Sequence, residues 1–352
     1  MGTVYNPLHR SYPLFFFGFG VIIAYIPGIL GAAISTGWLF LLITAPILFC
    51  YCKFNVGLGF IFICYAIISL LWTEILNTAW FYLLQLIVLS CVFCIGRELK
   101  DKDLLAVFKG LAFGLGIASC VAIAQCFGFD RIFTLNRTIA GLFINPNIYS
   151  EISAVILVSL VVLKLWWWIP VTLPGLILVH SRTALLALGL GLLIWFWKLN
   201  KLLAVSSAIF ILIAGAYFYW GHFSISSIKE RFNLWEDTIA GFKLFGNGVG
   251  SYEALFPYYA THIDTELARP RYAHNDLLQI IFEFGIGSIL FLMVLFNAFI
   301  SKRKELVILA TILVVSMLTY PMHIPTQAFI AFLVAGFVIG CNDTNGDKRV
   351  DR

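Results

Sequence analysis

Charge is what this chain has least of. Only 12% of its 352 residues are Asp, Glu, Lys or Arg, about half the share of an ordinary globular domain. That scarcity excludes a domain with solvated faces. With 61% hydrophobic residues and a mean hydropathy of +0.95, it marks a polytopic membrane protein. Period-two alternation is missing from the apolar runs, which excludes a β-barrel and leaves helices as the spanning elements. A small-residue cleavage site is missing after the first run, so no removable signal is expected. Asn6 stands where myristoylation needs Ser or Thr. The eight cysteines fall mostly inside apolar runs (Cys64, Cys91, Cys94, Cys120, Cys126). Cys91-Val-Phe-Cys94 has no second pair, so these read as small helix-packing residues and not as a metal or redox site. No six-plus-six internal repeat is visible.

The apolar runs recur from Tyr12 to Cys341 at lengths suited to crossing a bilayer. The expectation is an all-α polytopic bundle of about twelve transmembrane helices. They fall near 13–33, 36–52, 54–72, 77–96, 104–127, 147–166, 168–180, 183–198, 202–220, 276–300, 305–320 and 324–341. Arg10, Lys53, Arg97, Lys100, Lys102, Lys164, Lys198, Lys201, Lys302-Arg303-Lys304 and Lys348-Arg349 all fall on one side of this count. That side is expected to be cytoplasmic, with both termini inside. The net charge of +5 is then a topology signal and implies no nucleic-acid partner. The chain reads as a single integral membrane domain, 1–352, with a loop insertion at 221–275 on the outer side.

Within that loop Ser227-x-x-Glu230 reads as a capping box. Ile228, Phe232, Trp235, Ile239 and Phe242 follow at helical spacing, an amphipathic helix on the outer membrane face or capping the bundle. Gly246, Gly248 and Gly250 read as a flexible turn ending it. Asp101-Lys-Asp103 imitates a metal-binding DxD, but it sits among cytoplasmic lysines and reads as a solvated charge run.

The candidate chemistry gathers at the outer side. His274 lies where the loop re-enters apolar sequence, with Arg269 and Arg271 before it and Asn275-Asp276 after it. Ionisable groups at a membrane edge are expensive and usually functional. Arg182 sits at the corner of two runs that look too short to cross, at about 1.5 Å per residue, and so needs an anionic partner. Glu151 or a bound anionic ligand would serve. Arg231 opens the amphipathic helix. Asn145-Pro146-Asn147 reads as a turn and helix start, with Arg137 ahead of it.

These segments, in order, resemble the bacterial O-antigen ligase and polymerase family of membrane glycosyltransferases. The resemblance is carried by Arg137 with Gly141 and Asn145-Pro-Asn147, and by Ser181-Arg182-Thr183-Ala184. It continues with Arg231…Trp235 to Gly246-x-Gly248-x-Gly250-Ser-Tyr252, and with His274-Asn275-Asp276-Leu277-Leu278-Gln279 plus Glu283-x-Gly285. It spans about residues 137 to 290. It implies a GT-C-like bundle in the bacterial inner membrane that moves a glycan from an undecaprenyl-diphosphate carrier at the periplasmic face. The acceptor would be a lipid A core sugar for a ligase, or another repeat unit for a polymerase. By matching positions, Arg182 and Arg231 would hold the diphosphate and His274 would activate the acceptor hydroxyl. Arg137, Asn145, Asn147, Arg271 and Asn275 would support them, and no metal or other cofactor would be needed. An unperturbed histidine, with a pKa near neutrality, suits such a base. A transporter or a flippase of lipid-linked glycan is the rival class, though charges gathered at one face around one loop favour an enzyme.

Overall fold

The structure, a computed structural model, describes residues 8–24, 33–49, 58–129, 139–143, 145–179, 181–219, 225–263 and 270–350. Among them there is helix and no strand. The elements are α1 Leu8–Ile23, α2 Ala33–Phe49, α3 Leu58–Ile68, α4 Leu76–Glu98, α5 Asp101–Cys126, α6 Pro146–Val162, α7 Leu173–Ile177, α8 Arg182–Leu199 and α9 Lys201–Tyr219. They continue with α10 Ile225–Ala240, α11 Tyr252–Leu255, α12 Asp276–Phe284, α13 Ser288–Ile300, α14 Leu306–Ser316 and α15 Pro325–Val350.

Four segments are long and apolar enough to cross a membrane: Leu76–Glu98, Asp101–Cys126, Arg182–Leu199 and Asp276–Ile300. Each expected span overlaps helical backbone, with three departures in detail. The seventh is a 3-10 segment, Trp166–Thr172, running into the five-residue α7. Two prolines, Pro170 and Pro174, explain why no long helix forms there. The eighth is not short, since α8 starts at Arg182 and has 18 residues. The tenth is broken by a 3-10 turn at Gly285–Gly287, because Gly285 takes φ +51 with ψ −126, a backbone conformation open to glycine, and ends α12 there.

Burial follows the packing of small residues. At Gly110 an added Cβ would lie 2.0 Å from the Phe15 carbonyl oxygen, so the backbones of α1 and α5 touch, as small residues permit in lipid. Helix α6 lies at the centre, with every residue from Ile148 to Val162 buried. Helices α8 and α14 pack against it, and α15 packs along α4. At the start of α5 the Lys100 backbone N–H donates to Asp103 Oδ2 at 3.1 Å. Asp101 pairs with Arg303 at 2.6 Å. The expected solvated charge run holds for Asp101 and Lys102, which are exposed, whereas Asp103 is 1% exposed and caps the helix.

The described part of the 221–275 segment is anchored throughout. Helix α10 begins at Ile225, so Ser227 lies in its first turn and does not precede it. Its inner side is not the apolar stripe. Leu234, Asp237 and Thr238 are buried, while Ile228, Phe232 and Ile239 are exposed. Asp237 accepts hydrogen bonds from the backbone N–H groups of Thr261 and His262 and lies 2.8 Å from His262 Nδ1. Gly246, Gly248 and Gly250 all have positive φ. The turn they form is pinned, not flexible: Asn247 N–H donates to Phe282 O, Gly248 N–H to Glu283 O and Gly250 N–H to Glu283 Oε2. Helix α10 and the glycine turn are thereby fastened to α12.

Candidate active site

Three helix starts shape one end of the bundle. Asn145 opens α6, its Oδ1 accepting from Asn147 N–H at 2.8 Å with Pro146 in the first turn. Ser181 opens α8, its hydroxyl accepting from Ala184 N–H at 3.4 Å, which makes Arg182 the first residue of that helix. Asn275 opens α12, accepting from Leu277 and Leu278 N–H at 3.1 and 3.2 Å. Unsatisfied amides and aligned dipoles make such ends electropositive.

His274 precedes the Asn275 cap in the left-handed region, at φ +50. A non-glycine residue held there needs support from its surroundings. The support is visible on both sides. Trp235 Nε1 of α10 donates to Ala273 O at 3.1 Å, and Ala273 N–H donates to Gln279 Oε1 at 3.2 Å. The imidazole stands edge-to-face against Tyr320, with centroids 5.0 Å apart at 76°. Its Nδ1 is buried with no hydrogen-bond partner among the described residues. Burial, and then the Arg231 guanidinium, push its pKa down from 6.5 to about 4. The near-neutral value expected from sequence is therefore corrected downward, and His274 is neutral at physiological pH.

Arg231 is half-buried on the inner face of α10. Burial lowers its pKa; Glu151 acts against that and Arg182 adds to it. Arg231 is thus within electrostatic reach of Arg182, Glu151 and His274. Glu151 is 3% exposed on α6. Its Oε2 accepts from the Thr319 hydroxyl at 3.3 Å and from Gln327 Nε2 at 3.4 Å.

The other candidates separate. Arg271 is 73% exposed and pairs with Glu253 at 3.4 Å. Asn145 and Asn275 use their side-chain oxygens as helix caps, and Asn147 is exposed. Arg137 lies outside the described residues. No three His, Cys, Asp or Glu side chains converge as metal ligands among the described residues. An apolar cavity of about 460 Å³ lies between α3, α4, α13, α14 and α15. Arg97, Asp276 and Ser316 line it, but Arg182, Arg231 and His274 do not.

One wall was not foreseen. The turn between α14 and α15 contributes Thr319, Tyr320 and His323. Tyr272 stacks on Tyr320 and on His323, each at 4.5 Å. The sequence signal was the Tyr320-Pro-Met-His-Ile-Pro325 interruption between two apolar runs.

No curated protein matches the chain. Residues 148–293, less than half of it, match the profile of the O-antigen ligase family. That stretch begins within α6, ends within α13 and contains Glu151, Arg182, Arg231 and His274. The matched stretch holds three of the four ordered motifs, from Ser181 to Gly285, and not the one from Arg137 to Asn147; over it the chain is similar to the O-antigen ligase family.

Proposed function

We propose that this chain is an inner-membrane glycosyltransferase of the O-antigen ligase type. It takes a glycan from an undecaprenyl-diphosphate carrier and transfers it to a lipid A core sugar hydroxyl at the periplasmic face. The observation that carries the reading is the convergence on Arg231 of a second guanidinium, Arg182, and a neutral imidazole, His274. Two cations beside a neutral base are the parts needed to displace a diphosphate with an alcohol.

The roles follow from the chemistry. The acceptor oxygen attacks the anomeric carbon of the donor sugar and its proton passes to the His274 imidazole. The bond from that carbon to the diphosphate oxygen breaks, and the diphosphate leaves with the electron pair. Arg182 and Arg231 bind its oxygens through their planar forks and stabilise the charge that develops there. Guanidinium groups then do the electrostatic work that a divalent ion does elsewhere, and the reaction needs no metal. Exposure of the apolar Ile228, Phe232 and Ile239 suits a helix lying at the membrane surface, where a lipid-linked substrate arrives.

The test is transfer by the purified chain in lipid nanodiscs, using undecaprenyl-diphosphate-linked glycan and lipid A core. His274→Ala should abolish transfer while the protein still inserts and still binds donor. Near-normal transfer by that variant would remove His274 from the mechanism. The same machinery serves a repeat-unit polymerase, whose acceptor is another lipid-linked unit. A deletion strain separates the two. Full-length glycan left on the carrier indicates a ligase, and a single repeat attached to core indicates a polymerase.

A further inference from the structure

Gln279 holds the chain on both sides of His274. Its backbone N–H, at the end of the first turn of α12, donates to Asn275 O at 3.0 Å. Its side-chain Oε1 accepts from Ala273 N–H at 3.2 Å. The other end of the amide is committed as well: Nε2 donates to Glu283 Oε1 at 3.2 Å, and Glu283 Oε2 accepts from Gly250 N–H at 2.9 Å. Gln279 and Glu283 are 3% and 5% exposed, and Ala273 is fully buried. An amide turned end for end would set Nε2 against the Ala273 N–H, donor against donor, so its partners fix its orientation. Hydrogen bonds thus run in series from the glycine turn through α12 to Ala273 and, by way of Trp235 Nε1 on Ala273 O, to α10. Packing alone does not require such a chain. Apolar side chains of similar volume would fill this interior without a buried carboxylate to satisfy. The chain instead ends on the residue before His274, whose φ of +50 has to be imposed by its surroundings.

We propose that Gln279, with Glu283 behind it, is a positioning residue for the base: it fixes the Ala273 peptide and so aims the His274 imidazole at the acceptor hydroxyl. This inference rests on the reading of His274 as the base. Gln279 acts through the Ala273 backbone and exchanges no proton with the substrates. Its loss should leave the arginine site in place, because Trp235, one helical turn beyond Arg231, still ties α10 to Ala273 O. Removing the amide should therefore lower turnover and spare binding of the diphosphate.

Gln279→Met keeps the volume and loses both side-chain bonds. In nanodiscs it should lower kcat about hundredfold, the scale on which a small misplacement of a catalytic group is felt. Inorganic pyrophosphate should bind it as it binds the wild type, and KM for the lipid-linked donor should change little. Exchanging the two side chains gives a conservative rescue. Gln279→Glu alone sets two carboxylates face to face, and Glu283→Gln alone sets two amide nitrogens together, so each should lower kcat. In the double variant the carboxylate at position 279 accepts from Ala273 N–H and from the amide at position 283, whose oxygen accepts from Gly250 N–H. Every bond is remade, and kcat should recover. Added to His274→Ala, Gln279→Met should cost nothing further, because it acts through the imidazole. Wild-type kcat in Gln279→Met would overturn the proposal, as would failure of the exchanged pair to recover. Matching losses of pyrophosphate binding and turnover, with a lowered melting temperature, would also overturn it and make Gln279 a fold element. If Gln279→Met does not fold, the two exchange singles and their combination carry the test. Near-normal transfer by His274→Ala would remove the base reading and this inference with it, a result told apart because it needs no change at Gln279.

Discussion

The pH dependence of transfer is the sharpest consequence of where His274 sits. Its pKa lies near 4 instead of 6.5, lowered by burial and then by Arg231. The difference corresponds to about 3 kcal/mol between the two protonation states. The sign is fixed by the role. A base must be neutral to accept a proton, so a lowered pKa preserves activity as pH falls and loses it only on approaching 4. At pH 5 a free imidazole would be about 97% protonated and its activity down about thirtyfold, whereas His274 would be about 9% protonated and its activity nearly unchanged. The donor does not obscure this range, because a diphosphate esterified at both ends carries only strongly acidic oxygens. The assay is kcat/KM for the lipid-linked donor in nanodiscs from pH 4 to 8, since that ratio reports the free enzyme. The profile should be flat to about pH 5. A tenfold fall per unit beginning at pH 6.5 would refute the buried, arginine-facing placement of the base.

Other consequences are checked more briefly. Arg182→Lys and Arg231→Lys keep charge but lose the planar fork, so each should lower turnover by about ten- to hundredfold; the double variant should depart from the product of the singles, and strict additivity would show that they do not share one group. Excess EDTA should leave transfer intact; a loss restored by magnesium or manganese would turn attention to Asp276 and to Asp264 and Glu266, which lie outside the described residues. Gly248 has φ +94, and a Cβ there would meet the Thr73 Cβ at 2.7 Å, so Gly248→Ala should destabilise the docking of the turn by about 1–3 kcal/mol, read as increased proteolysis between α10 and α12. Asp237 raises the pKa of the exposed His262 by hydrogen bonding, so their link is complete below 6.5 and is lost as pH rises through the raised value; amide exchange at Thr261 and His262 should quicken over that rise, and Asp237→Asn should abolish the pH dependence.

Much of the fold is legible because a helix that must cross lipid has to be apolar along its whole length. What apolarity hides is which side faces lipid and which faces protein. Helix α6 reads like any other span, yet it is buried on all sides, because lipid and protein interior are equally apolar. The break at Gly285–Gly287 is invisible for the same reason, since the composition stays apolar through it. For helix α10 the sequence leaves two places open, on the outer membrane face or capping the bundle. Its stripe of Ile228, Phe232 and Ile239 is exposed while Leu234, Asp237 and Thr238 are buried, as suits a helix at a bilayer surface whose mixed side faces the protein. Arg231, in a polar segment, was picked out by the family resemblance, whereas Arg182 was legible as a charge between two apolar runs and His274 as a titratable group where the loop re-enters apolar sequence. Tyr320 was not, because aromatics make up 16% of the chain and are ordinary at membrane edges. Nor does a sequence carry burial, which is what sets the pKa of His274.

The placement of Arg182, Arg231 and His274 also orders the proposed reaction. Before the donor arrives, the two guanidinium groups give the site an excess of positive charge, and His274 beside Arg231 is a poor base. A bound diphosphate brings negative charge to the same guanidinium groups. The repulsion that Arg231 exerts on an imidazolium then weakens, and His274 becomes more willing to take a proton. The break in kcat should accordingly lie at higher pH than the break in kcat/KM, because kcat reports the enzyme with its substrates bound. Base strength is thus tied to occupancy of the clamp. An acceptor hydroxyl that enters an empty site meets a weak base and no electrophile, and one that enters after the donor meets both. A site of this kind favours donor before acceptor without any moving lid. The coupling runs through Arg231, whose guanidinium disfavours the protonated form of His274.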